Sequence, residues 1–154
     1  LFDKIGFFLP WLGVSSVGQS SEDNELCLRM LLHDIPYTYI PSIKVYHNRW
    51  MDAFSHEKLN INYARGWVAM WIYYYFLTSQ FRYLTQNVLL PVTKSPLRFF
   101  KNITSLSNNQ GLRDRLRNAY LGIYSLYELT FGFFLGAFQY FKYKMLSRKM
   151  ITKV

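Results

Sequence analysis

The sequence predicts an α/β fold whose second part is mostly helical, and three observations support this. A helix start followed by two short segments rich in tyrosine and β-branched residues occupies the first third of the chain. Long aromatic and aliphatic segments with helical spacing follow. Net charge changes at the same place: residues 1–49 carry four Lys or Arg and five acids (net −1), and residues 50–154 carry fourteen and four (net +10). We therefore divide the chain into residues 1–49 and 50–154.

The first region contains one clear helix start. Residues 1–17 are apolar but broken by glycine and proline, which predicts an irregular loop with short strand character. Ser20 or Ser21 then suits a helix N-cap, with Glu22 and Asp23 in the first turn beside unpaired backbone N–H groups. The helix should end near Asp34. Its apolar face is predicted to comprise Leu26, Cys27, Met30 and Leu31, whereas Asn24, Glu25 and Arg29 point elsewhere.

Two short strands are predicted after this helix. Pro36 prevents the helix from continuing, and the segments Tyr37–Ile40 and Ile43–His47 have strand composition. Pro41 and Ser42 separate them, which predicts a hairpin-like arrangement.

The second region is predicted to contain two long helices, from Glu57 to Phe76 and from about Leu112 to Ser147. A loop with Pro91, Pro96 and the polar stretch 102–111 separates them. Small and polar residues recur in the last helix at steps of three or four and therefore share one stripe. These residues are Gly122, Ser125, Glu128, Gly132, Gly136 and Gln139.

The positive charge and the aromatic blocks of the second region favour a membrane partner over a nucleic acid. Single-strand binders interleave cations with stacking rings, whereas here the rings form long uncharged blocks. Residues 118–141 contain one charge and are long enough to cross hydrocarbon, but Glu128 near the middle would cost about 2.5–3.5 kcal/mol. We expect an in-plane or re-entrant helix rather than a full span. The alternative is a soluble two-helix layer in which the stripe packs against residues 66–77.

The cysteine content and the start of the sequence add two expectations. Cys27 is the only cysteine, so an intrachain disulfide and a four-cysteine zinc site are excluded. The first residues have no signal-peptide pattern, and we expect the chain to begin inside a larger protein.

One ordered set of residues points to chemistry. Phe2, Asp3 and Gly6 lie in a first loop, Gly18 precedes the acidic pair Glu22-Asp23, and Tyr39-Ile40-Pro41 leads to His47 at a strand end. A carboxylate at a loop-to-helix junction is held in place by the helix, stays ionised, and is able to accept a proton from an attacking hydroxyl. Without the rest of the set, the acidic pair would indicate helix capping alone.

This set resembles the family 2 glycosyltransferases of GT-A type, in which an acidic pair opens a helix of the type Glu25-Leu26-Cys27-Leu28-Arg29. The resemblance implies that Asp23 is the general base, that Glu22 contacts the acceptor or orients the base, and that Asp3 and Gly18 contribute to the acceptor site. It implies that His47 helps to bind a metal. Residues 1–49 would be the C-terminal part of the catalytic domain, and residues 50–154 a basic, aromatic-rich helical tail associated with the membrane.

The implied activity is inverting transfer of a sugar from a nucleotide-sugar donor to a glycan or lipid-linked acceptor, as part of a longer enzyme. The family's nucleotide-binding half is absent, so the divalent metal (Mg²⁺ or Mn²⁺) would be bound mainly elsewhere and the fragment should be inactive alone. The Gln-x-x-Arg-Trp motif of processive relatives is missing, which implies single additions. We expect the cytoplasmic face of a membrane, a role in cell-surface polysaccharide or glycolipid synthesis, and no nucleic-acid partner. The alternative is a non-enzymatic, membrane-binding helical module.

Overall fold

The described part of the chain is all-helical. The computed structural model describes residues 2–46, 50–89 and 111–151. Its elements are α1 (Phe2–Ile5), α2 (Glu22–Leu32), α3 (Ala53–Thr78), α4 (Phe81–Leu84), a π-helical turn (Thr85–Leu89) and α5 (Leu112–Ile151). These residues contain no β-strand, so the predicted α/β fold, and with it a GT-A-type domain portion, is wrong.

The two predicted strands are irregular chain as far as Tyr46. A turn does form at Pro41 and Ser42, where the amide of Ile43 donates to the carbonyl of Ile40 at 3.1 Å. The segments on either side form no ladder with each other or with any other described residue, and their side chains are exposed, with Tyr39 at 84% and Val45 at 87%. Residues with high strand propensity form strands when they pair with a neighbouring strand and are half-buried. The described residues provide no such neighbouring strand for these two segments.

Helix α3 is the centre of the fold. Asp52 caps its first turn by accepting from the Ser55 amide at 3.0 Å, and Ser79 ends it in a left-handed conformation. The helix therefore begins four residues before the predicted Glu57 and ends two residues after Phe76. Its second half is buried from Val68 to Tyr74 except for Trp71, which is half-buried.

Helix α5 packs along α3 in the same direction. Contacts join Phe54 to Tyr120, with ring centroids 6.2 Å apart, and Phe76 to Tyr140, with centroids 5.4 Å apart, so residue numbers rise together on the two helices. The predicted stripe makes this contact possible. A Cβ atom added at Gly136 would lie 2.3 Å from the Ala69 carbonyl, so only glycine permits the observed approach.

The N-terminal residues pack on a second face of α3. The loop between α1 and α2 inserts Leu12 into a cluster of buried residues from α3 and α4, and α2 lies beside it. This cluster comprises Leu12, Met70, Tyr73, Tyr74 and Tyr83. Helix α3 therefore contacts both α5 and the N-terminal residues, and Tyr140 of α5 also packs against this cluster.

One helix among the described residues is long and apolar enough to cross a membrane by length and composition. This segment of α5 runs from Leu116 to Leu146 and has a mean hydropathy of 1.3. Only a third of it is buried in the fold. This helix is compatible with membrane association.

Candidate active site

An open cleft of about 610 Å³ lies between the start of α2 and the middle of α3. Its volume falls within the roughly 300–1,000 Å³ of ordinary small-molecule sites. One wall is the loop and the first turn of α2, formed by Val14, Gln19, Ser20, Ser21, Glu22, Asp23 and Asn24. The other wall is one face of α3, formed by Tyr63, Ala64 and Trp67. The predicted acidic pair therefore lines the cleft.

The loop that leads into the cleft is strained. Ser15, Gln19 and Ser21 have positive φ angles of 69°, 62° and 74°, a conformation that costs a non-glycine residue roughly 1–2 kcal/mol. Ser16 stabilises the loop because its hydroxyl lies 2.8 Å from the Gly13 carbonyl and accepts from the Gly18 amide at 3.2 Å. Strained backbone of this kind concentrates at functional sites.

Ser21 occupies the predicted N-cap position of α2 but does not cap with its side chain. Its left-handed backbone turns the chain into the helix instead. The neighbouring Ser20 hydroxyl lies 3.3 Å from the Ser21 hydroxyl and donates to the Tyr63 carbonyl at 3.0 Å. The serine pair therefore attaches the start of α2 to α3.

The two carboxylates at the start of α2 have different surroundings. Asp23 is exposed, and one of its oxygens accepts from the Asn24 amide at 2.8 Å. Glu22 is half-buried against Gly13, where an added Cβ atom would lie 3.2 Å from the Glu22 carboxyl carbon. Gly13 thus leaves space for Glu22, while Asp23 is the carboxylate that is exposed to solvent.

Helix α3 supplies an aromatic wall and the close contact that holds it beside α2. The Trp67 ring is oriented by a bond from its Nε1 to the Asn87 carbonyl at 3.1 Å. The preceding residue, Gly66, lies against the loop, where an added Cβ atom would stand 2.5 Å from the Ser20 carbonyl. The absence of a side chain at Gly66 therefore sets the width of the cleft.

Two residues after Asp23, the buried carboxylate of Glu25 connects α2, α3 and the N-terminal loop. Glu25 is fully buried, pairs with Arg29 (Nη2 to Oε2 2.8 Å) and accepts from the Tyr74 hydroxyl at 2.7 Å. Arg29 also donates to the carbonyls of Ile5 and Phe7. Burial, followed by the bond to Glu25, raises the pKa of Tyr74 well above its usual range. This network fixes α2 relative to α3 and the N-terminal loop.

A second buried ion pair joins α3 to α5. Glu128, also fully buried, accepts two bonds from the Arg65 guanidinium, one of them 2.7 Å long, and Arg65 donates to the Val17 carbonyl at 3.2 Å. The bond to Glu128 raises the pKa of Arg65. The Arg65 guanidinium also lies 4.6 Å from the centre of the Phe131 ring. Arg65 therefore connects the loop before the cleft with the middle of α5.

The remaining predicted site residues do not line the cleft or lie outside the described residues. Asp3 is exposed on α1 and is not part of the cleft wall. Gly18 is buried behind the wall, where an added Cβ atom would lie 2.6 Å from the Trp11 carbonyl, so its part is to shape the loop. His47 lies outside the described residues.

The described residues do not bring three His, Cys, Asp or Glu side chains together as metal ligands. Glu22 and Asp23 are two adjacent carboxylates without a third ligand. The predicted metal ligand His47 lies outside the described residues, and the chemistry of the cleft is derived from the side chains that line it.

Sequence reasoning missed Tyr63, Trp67 and the Glu25–Arg29–Tyr74 network. Glu25 was assigned away from the packed face of α2, but it is the fully buried residue of that helix, whereas Cys27 and Leu31 are exposed. The signal available for α3 was Gly66 in the middle of bulky residues, since a glycine inside a helix indicates a close backbone approach.

No protein-family model, curated protein or solved structure matches this chain.

Proposed function

We propose that this chain contributes the acceptor side of a sugar-transfer site, with Asp23 as the general base. The observation that carries the proposal is the cleft, which places the exposed Asp23 carboxylate opposite Tyr63 and Trp67. Sugar rings present hydroxyl groups at their edges and apolar C–H faces, so a carboxylate facing aromatic rings suits them. Of the residues that carry the resemblance, Glu22 and Asp23 are the ones that line the cleft.

In the proposed reaction, the acceptor hydroxyl transfers its proton to an Asp23 carboxylate oxygen. The acceptor oxygen then forms a bond to the anomeric carbon of a nucleotide-activated sugar, and the bond from that carbon to the diphosphate breaks. The diphosphate leaves with the bonding electron pair, and the configuration at the anomeric carbon inverts in this single displacement. One sugar is added in each encounter, to a glycan or lipid-linked acceptor.

Two features of the cleft support the proposed roles of its carboxylates. Asp23 is exposed and is held locally in the first turn of α2 by the bond from the Asn24 amide. Glu22 is held against Gly13 and lines the same wall, so it contacts the acceptor or orients it. In this proposal the donor nucleotide, and Mg²⁺ or Mn²⁺ with it, is bound by residues other than the described ones.

Membrane association fits this function. Helix α5 would hold the cleft at the cytoplasmic face of a membrane, where lipid-linked and surface-polymer acceptors are present. A non-enzymatic membrane module is the competing proposal, and the exposed apolar surface of α5 favours it. The two proposals differ in what they require of Asp23.

Asp23→Asn tests the assignment because it keeps the size of the side chain and removes the base. Membranes containing the full-length gene product that carries this chain are incubated with individual uridine, guanosine, thymidine and cytidine sugar nucleotides. Release of the free nucleotide and labelling of lipid or polymer are measured. Turnover should fall by about 10²–10⁴-fold, the usual contribution of a general base.

Asp34→Asn is the matched control. Asp34 is exposed, lies outside the cleft, and has a φ of 52°, a conformation that asparagine adopts readily. This variant should transfer sugar at the normal rate. Full turnover by Asp23→Asn would refute the base, and no turnover by the unmodified protein with any donor would favour the non-enzymatic module.

A further inference from the structure

Helix α5 exposes a continuous apolar stripe along its length, and three of its members, Tyr120, Phe131 and Phe141, also contact side chains of α3. We call it the outer stripe; its members follow one another at steps of three and four, so they share one face of the helix. All are exposed and none is charged. The outer stripe comprises Tyr120, Ile123, Tyr127, Phe131, Phe134, Phe138, Phe141 and Met145.

The outer stripe extends for about 38 Å at 1.5 Å per residue. Cations lie at both of its ends. Arg113 and Arg117 continue the same face toward the N-terminus at the same steps, and Lys142 and Lys144 flank Phe141 near the other end. An apolar face bordered by cations matches an anionic bilayer surface, in which rings enter the acyl region and cations meet phosphate.

The polar residues of α3 beside α5 determine which orientation of α5 in the bilayer is favourable. Because α3 and α5 run in the same direction, the first half of α3 lies beside the first half of the apolar segment of α5. That half of α3 is polar and includes His56, Glu57 and Lys58. If α5 crossed the bilayer, these residues would be carried into hydrocarbon, where each charged side chain costs about 2.5–3.5 kcal/mol.

The position of the cleft also argues against a helix α5 that spans the bilayer. Arg65 contacts both Glu128 in the middle of α5 and Val17 in the loop, so the cleft is level with the centre of the apolar segment. A spanning α5 would place the exposed carboxylate of Asp23 at mid-bilayer depth. An α5 that lies in the membrane plane keeps the cleft in water, because the cleft is lined by the loop, α2 and α3 and by no described residue of α5, and packed helix axes lie roughly 8–10 Å apart.

We infer that α5 lies in the plane of an anionic membrane surface, with the outer stripe in the acyl region and with α3, α2 and the cleft on the aqueous side. The Glu128 carboxylate is fully buried and paired with Arg65 of α3 rather than exposed to lipid, which removes the obstacle that Glu128 presents to insertion. This placement of α5 is independent of sugar transfer and holds equally for a non-enzymatic module.

Spin labels along the outer stripe distinguish in-plane from spanning helices. In a Cys27→Ser background, single cysteines replace Ile123, Phe134 and Phe141, which are exposed and cover about 27 Å of helix. The full chain is reconstituted into phosphatidylcholine vesicles with and without phosphatidylserine. The depth of each label is measured from its relaxation by oxygen, which enters lipid, and by a nickel chelate, which stays in water.

The in-plane helix predicts one shallow depth for all three labels, roughly 5–10 Å below the headgroups, and weaker binding without phosphatidylserine. A label on the native Cys27, which is exposed on α2, should remain accessible to the nickel chelate. A depth that changes steadily along the helix or peaks at position 134 would overturn the inference in favour of a span. Labels that are fully water-accessible at all three positions, or binding that is unaffected by the anionic lipid, would overturn it as well.

Discussion

Replacing Gly66 with alanine should disable the cleft without changing any of the residues that line it. The new methyl group would stand 2.5 Å from both the carbonyl and the hydroxyl oxygen of Ser20 and 2.7 Å from the Gly18 carbonyl, whereas ordinary contacts begin at 3.4 Å. The loop must therefore retreat by about 1 Å. Two of the three opposing atoms belong to the backbone, so a change of side-chain rotamer does not relieve the clash.

Two opposing contributions set the change in stability. Overpacking a close contact costs roughly 1–3 kcal/mol, and the better helix propensity of alanine returns about 1 kcal/mol. Because backbone atoms oppose the methyl group, we expect a net loss of about 2 kcal/mol in the free energy of unfolding. For a chain of this size, that loss lowers the melting temperature by roughly 4–8 °C. A 1 Å displacement of the acidic pair should also reduce sugar transfer by about 100-fold.

Thermal unfolding followed by circular dichroism, together with nucleotide release, measures both effects. Gly111→Ala is the control, since no atom lies within 4 Å of an added Cβ atom there. It should leave both quantities unchanged. If Gly66→Ala unfolds at the normal temperature and transfers sugar normally, the loop and α3 are not in the close contact described above.

Two further predictions concern the buried networks. Glu128→Ala leaves the Arg65 guanidinium, whose side chain is 12% exposed, without its carboxylate, and should lower the free energy of unfolding by about 3 kcal/mol. The double variant Arg65→Met, Glu128→Met should recover part of that loss. Equal melting temperatures for Glu128→Ala and the unmodified chain would contradict this prediction. Because burial and the bond to Glu25 raise the pKa of Tyr74 above its ordinary 10.0, the unfolded chain loses this proton first. The stabilisation is therefore complete below about pH 10 and declines as pH rises through the folded-state pKa. Tyr74→Phe should make the urea midpoint fall less steeply above about pH 10, and an unchanged slope would rule out this contribution of Tyr74.

The three long helices α2, α3 and α5 could be predicted because their signals are local, whereas the short helices α1 and α4 were not predicted. Glu22 and Asp23 mark the start of α2, and the spacing of small residues in α5 identified the face that meets α3. Glu128, Gly132 and Gly136 all lie on that face. Capping and periodicity depend on residues within a few positions of one another, so the sequence alone contains them.

The strands and the polar network could not be predicted because they depend on distant partners. Ile43 and Val45 have strand propensity, but the described chain provides no neighbouring strand. Glu25 is buried because Tyr74, 49 residues away in sequence, and Arg29 satisfy its carboxylate. Assigning every charged residue to the solvent face fails when a second helix supplies the missing donor.

The cleft depends both on local signals, which the sequence reveals, and on distant contacts, which it does not. Its acidic wall could be predicted from Glu22 and Asp23, whereas Tyr63 and Trp67 come from a helix about forty residues further along. The alignment of these two walls depends on Gly66, whose effect is a close approach between backbones. Side-chain chemistry alone does not reveal such a contact.

Chemical rescue tests the role of Asp23 most directly. Asp23→Ala removes the carboxylate and leaves space in which a small external base is able to act. Sodium formate should restore nucleotide release to Asp23→Ala in proportion to its concentration, and should not restore it to Glu22→Ala. Full turnover by Asp23→Ala without formate, or a folded Asp23→Ala protein that formate does not restore, would contradict the assignment of Asp23 as the base.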